Sequence, residues 1–104
     1  MAKKGDLIVL ESSTSVTPVH GERTSYSTIR AGIVASADRE GLAKKILVNG
    51  RGLPIAIENF GRSVNRHVVS ADRVNVAAAV AELSGREWGD IEEVRGVVRK
   101  FLKG

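Results

Sequence analysis

Basic side chains on strand-like segments carry most of the chemistry this sequence offers. Tyr26 and Arg30 have the same parity within an alternating stretch, which puts both on one face of an extended chain. Lys44 and Lys45 follow on the next apolar segment, and Arg51 stands at the tip of "NGRG". Gathered on one curved surface, such cations neutralise phosphates while the tyrosine ring stacks on a base. Arg62 and Arg66 extend the same patch. The ligand these residues predict is nucleic acid, bound without sequence preference. The competing explanation is that lysines on strands keep exposed edges from pairing with other chains.

Other chemistry has less to build on. The chain has two histidines, His20 in a polar loop and His67 in a strand-like run, and no cysteine. Metal-ligand spacing is absent, so neither a metal site nor a cofactor is expected. His67 reads as a strand residue rather than a base, and Glu92 and Glu93 belong to a helix start. "GRGLP" and "GRS" are turns with no helix behind them, unlike a phosphate-binding loop. No catalytic residue is assigned. Trp88, between two helical segments, has two readings: a packing residue whose N–H meets a carbonyl, or an exposed anchor for a protein partner.

The elements that must position these residues follow from patterning. "DLIVLE" (6–11) reads as a strand and "SSTSVTPVHGE" (12–22) as a long exposed loop. From Thr24 to Ala37 the chain alternates, with Ile29, Ala31, Ile33, Ala35 and Ala37 on one face. Tyr26, Thr28, Arg30, Val34 and Ser36 fall on the other. "DREG" turns the chain, "LAKKILV" (42–48) returns, and "NGRG" turns it again. Pro54 restricts "LPIAI" to a short edge strand, and "VNRHVV" (64–69) is the fifth. Asn75 then caps a helix over 76–83. Asp90 and Glu93, at capping-box spacing, open a second helix with an Ile91, Val94, Val98, Phe101 stripe.

One tetrapeptide recurs, as Ser36-Ala37-Asp38-Arg39 and Ser70-Ala71-Asp72-Arg73. The flanks diverge, and a four-letter match arises by chance in roughly one such sequence in ten. Both copies follow an apolar strand and precede a change of direction, so they read as turn punctuation rather than a duplicated site.

The whole chain of 104 residues is therefore expected to be one α+β domain. Residues 6–69 would form a small five-stranded antiparallel SH3-like barrel, with a helical extension (75–103) packed on it. Ile33, Ile46, Val48, Val69, Val94, Val98 and Phe101 are the expected core. A net charge of +4 favours polyanionic partners. With no apolar run near the roughly 20 residues that span a bilayer, the protein is expected in the cytoplasm and off the membrane. Oligomeric state leaves no mark on the sequence.

Two families share pieces of this pattern. "KKGDLIVLE" followed by "IRAGIVAS" resembles the start of PemK/MazF-type toxins, endoribonucleases built on an SH3-like barrel. That resemblance matches Arg30 to the catalytic arginine and "DIEEVRGVVRKFL" to the closing helix. Ala31 stands where those toxins carry proline, and the usual threonine-containing strand has no counterpart. Such an enzyme would also need a proton acceptor, for which His67, Glu58 or an acid distant in the sequence are the candidates. "GDLIVLESS" with "YSTIRAGIVASADREG" resembles small proteins encoded on bacterial phages and plasmids, which implies an accessory role. The preferred reading is a non-catalytic nucleic-acid-binding or regulatory accessory protein. The alternatives are an interaction module that modifies a host protein, using Trp88, and an endoribonuclease toxin.

Overall fold

The computed structural model describes residues 2–16, 24–60 and 64–103. In chain order these form β1 (Leu7–Val16), β2 (Thr24–Ala37), β3 (Ala43–Val48), β4 (Ile55–Ala56) and a 3-10 turn (Ile57–Phe60). They continue as β5 (Val64–Val69), α1 (Val76–Leu83) and α2 (Ile91–Lys100). All strand pairs are antiparallel, in the order β4-β3-β2-β1-β5. The expected α+β arrangement of five strands followed by two helices is present. β4 and β5 are the edges, and no ladder joins them among the described residues, so the sheet is open.

The centre of the sheet is set by β1. Leu7, Ile8, Val9 and Leu10 are consecutive apolar residues, and each is at most 3% exposed. A strand apolar at every position must be covered on both faces. Two cores do this. Leu7 and Val9 share one face with Ile29 and Ala31 of β2, and α1 and α2 cover it with Val80, Leu83, Val94 and Val98. Ile8 and Leu10 point the other way, into a smaller core with Val34, Ala43, Ile46 and Ile57. Val34, assigned from alternation to the polar face of β2, is thus one of the most buried residues. Of the expected core, Ile46, Val94 and Val98 are buried. Ile33, Val48, Val69 and Phe101 are half-buried against the two clusters.

The stretch expected to be a loop after Glu11 departs from expectation. β1 runs on to Val16 and stays paired with β2 from Ser12↔Thr28 to Val16↔Thr24. A Ser/Thr-rich segment carries no apolar alternation, but ladder hydrogen bonds need only backbone, so the pairing continues past the core. Residues 17–23, with His20, lie outside the described set.

Turn chemistry sets the remaining register. Asn49 (φ 59°) and Gly50 (φ 75°) open the six-residue β3–β4 connection (49–54) with a left-handed pair. The helices are capped as expected at Asn75, whose Oδ1 accepts from the Ala78 N–H, and at Asp90, whose Oδ1 accepts from the Glu92 N–H. The reciprocal arm of the expected capping box is replaced, since Glu93 pairs with Arg86 at 3.1 Å. A short backbone clasp closes the helical hairpin. Val74 bridges Leu102, Asn75 N–H donates to Phe101 O, and Lys103 N–H donates to Arg73 O. No helix among the described residues is long and apolar enough to cross a membrane.

Candidate partner-binding groove

The sheet presents its basic residues in rows fixed by register. Leu10 of β1 faces Arg30 on β2 and Arg66 on β5, so the two arginines flank one buried leucine on the same face. Arg30 is exposed. Arg66 reaches across that face, and its Nη1 donates to the carbonyl oxygen of Ala43 on β3 at 2.9 Å. Lys44 and Lys45 are both exposed on β3, where Lys44 lies 3.5 Å from Asp38. The N–H groups of Leu42 and then Glu40, with Lys44 behind them, hold the Asp38 carboxyl below its ordinary value of 3.8. Arg51 is exposed beyond the Asn49-Gly50 turn. Tyr26 lies opposite Thr14 in the β1–β2 ladder, but its side chain, like all of Arg62, falls outside the described set.

His67 and Arg30 do not share a site. His67 faces Val9, one residue from the Leu10 that faces Arg30, and neighbouring strand positions project to opposite sides. His67 Nε2 lies 3.6 Å from Glu11 Oε1, an ion-pair separation too long for a direct hydrogen bond. Glu58 is exposed on the 3-10 turn. Among the described residues no group of His, Asp and Glu is placed to hold a metal ion.

Trp88 is 9% exposed and packs in the helix-covered core. Its Nε1–H donates to Leu83 O at 2.8 Å, which satisfies the one polar group that burial would strand. The Arg86 guanidinium lies 3.9 Å from the ring centroid, covering the outer edge of the core with a cation–π contact.

A larger concave feature than the cleft beside Trp88 lies along the outer edge of β5. A groove of about 890 Å³ runs beside residues 66–70, between α2 on one side and the 40–43 turn with Ala2 on the other. Its walls are apolar where β5 and α2 converge, and Val68 (39%), Leu42 (48%) and Leu102 (48%) remain exposed there. Four arginines line it, Arg66, Arg73, Arg95 and Arg99, against one carboxylate, Glu40. Arg95 is held 2.9 Å from Glu92 on its own helix. Among the described residues no carboxylate pairs with Arg66, Arg73 or Arg99. Sequence patterning found Arg66 but missed the other three. The available signal was the i, i+4 spacing of Arg95 and Arg99 beside the apolar stripe of α2, which places both at the rim of a packed face.

The two copies of the repeated tetrapeptide flank this groove and turn by different means. In the first, Asp38 Oδ1 accepts from the N–H groups of Glu40 and Leu42. In the second, Ser70 Oγ accepts from Asp72 N–H, and Ser70 O accepts from Arg73 N–H. The second turn is tied down by Asp6, a buried carboxylate whose Oδ1 accepts from Ala71 N–H while Oδ2 accepts from Lys3 N–H.

No protein-family model matches the chain, and comparisons with curated proteins and with solved structures find no match either.

Proposed function

We propose that this chain is a non-catalytic binding protein that takes an anionic partner in the groove beside β5. The observation that carries the reading is the meeting of four arginines, drawn from β5, the turn after it and α2, over an apolar cleft with one opposing carboxylate. Cations on low-dielectric walls focus their field and steer an oppositely charged partner into register. An SH3-like curl of the sheet belongs to the same proposal. It is supported by the Arg66–Ala43 hydrogen bond, which spans β5 to β3 over the smaller core. So does the accessory role that the resemblance to phage- and plasmid-encoded proteins implies. Replacing Arg95 and Arg99 together by Glu, both exposed on α2, tests the reading. Retention on an anionic matrix at low salt should fall sharply while the far-UV circular dichroism is unchanged. Unchanged retention would remove the groove as the binding surface.

A second reading places nucleic acid on the sheet face of Arg30 and Arg66, both exposed on the strands either side of Leu10, whereas Lys45, next to Ile46 of the smaller core, projects to the other face. Three or four phosphate contacts there give a log–log salt slope of roughly −2 to −4. Replacing Arg30 by Ala should flatten that slope by about one unit. The same face carries Arg30 toward any endoribonuclease reading, for which His67, on the opposite face, offers no proton acceptor.

A further inference from the structure

Resting on the anionic-partner reading, we infer that the groove takes an extended acidic peptide segment of a partner protein, which adds as a sixth strand along the free edge of β5. Three features converge on this occupant.

The first is backbone. Among the described residues β5 pairs with β1 alone, so alternate residues of β5 turn their N–H and C=O away from the sheet, and residues 66–69 do so beside the groove. An unpaired strand edge is a template for another strand, and proteins normally blunt it. Here the edge is instead set between two walls, α2 and the 40–43 turn, separated widely enough to leave a cleft of about 890 Å³.

The second is side-chain alternation. A strand laid along β5 sends alternate residues to the two sheet faces. On one side they meet Ile91 and Val98 of α2 and Leu102 just beyond it. On the other they meet Leu42 and Ala43. Exposed Val68, Leu42 and Leu102 are covered by such a strand, which accounts for three of the five large apolar side chains left exposed among the described residues.

The third is charge. Arg66, Arg73, Arg95 and Arg99 around the cleft match carboxylates on the incoming strand. They also disfavour a second copy of this chain, which would bring its own arginines against them. Among the described residues no Phe, Tyr or Trp lines the groove, which leaves a single-stranded nucleic acid only the His67 imidazole to stack on. β-Augmentation by an acidic segment uses all three features, main-chain bonds for affinity and flanking pockets for specificity.

The test uses the full chain and a short synthetic peptide alternating Glu and Val, followed by calorimetry and amide hydrogen exchange. A version N-methylated at alternate residues keeps charge and side chains but cannot complete a ladder; a second isomer carries the methyl groups on the other set. The expected result is binding of the unmodified peptide and a loss of about tenfold or more for one N-methyl isomer. Amides between residues 66 and 70 should gain protection. The Arg95→Glu, Arg99→Glu variant should bind at least about tenfold more weakly. Equal binding of both N-methyl isomers would overturn strand addition and leave the anionic-partner reading standing. So would binding of oligo(dT) in this groove with no binding of the peptide. Formation of a β5-to-β5 homodimer would overturn the peptide as occupant. If neither peptide nor oligo(dT) binds even at low salt, the inference and the reading beneath it fall together.

Discussion

Arg66 on β5 donates a 2.9 Å hydrogen bond to the backbone carbonyl of Ala43 on β3, although β1 and β2 lie between those strands in the sheet. Such a bond forms only over a sheet curled toward that face, and the curl is what brings the 40–43 turn to the side of β5. The arginine is therefore a strut of the groove as well as part of its charge. Arg66→Met keeps most of the aliphatic stem and removes the bond. Hydrogen bonds made by charged groups contribute about 1.5–3 kcal/mol, so denaturant unfolding should show a loss near the lower end of that range for this half-buried pair. Val68 and Leu42 should also become more exposed.

Strand curvature places a second constraint at Gly32. A Cβ there would lie 2.6 Å from the carbonyl oxygen of Leu47, a backbone atom that cannot swing aside. Gly32→Ala should cost about 1–3 kcal/mol, as overpacking does. Gly96 in α2 is the control, since a Cβ there meets nothing within 4 Å. Gly96→Ala should stabilise the protein by about 0.5–1 kcal/mol through helix propensity. Thermal unfolding of the pair should shift in opposite directions.

Asp6 joins the chain's start to the turn after β5, through two backbone N–H groups that a neutral apolar side chain would leave unsatisfied. Asp6→Ala should destabilise by about 2–3 kcal/mol. The amide exchange of Ala71 should rise in the same variant, because its N–H loses its acceptor.

The Asp38 carboxylate supplies a pH dependence of known sign. Its value is lowered on folding, foremost by the Leu42 N–H, so its stabilising contribution is present above 3.8 and is lost as pH falls through the lower folded value. Carboxyl NMR should place Asp38 below 3.8 in the folded protein. Asp38→Asn should remove that part of the acid dependence of the 38–42 turn. A titration at or above 3.8 would contradict the two short hydrogen bonds seen there.

How much of this was legible in the sequence depended on how local the cause was. The bounds of β5, the caps at Asn75 and Asp90, and the left-handed pair at Asn49 and Gly50 follow from neighbouring residues, and each was readable. The second core was less so, because alternation in β2 suggests one apolar face. Only the unbroken Leu7–Leu10 run signals burial on both. The outer half of β1 was hidden because backbone pairing leaves no mark on serines and threonines. The groove was the least legible. Arg66, Arg73, Arg95 and Arg99 come from three elements, and nothing but the fold brings them together.

The groove beside β5 is proposed to bind an anionic partner. Amide chemical-shift mapping of the intact protein, titrated with polyglutamate at low salt, tests it most directly. The expected shifts trace residues 66–70, Arg95 and Arg99 of α2 and Leu102 beyond it, saturate, and fade as salt is raised. Shifts centred on Arg30, Lys45 and Arg51, or no shifts at all, would contradict it.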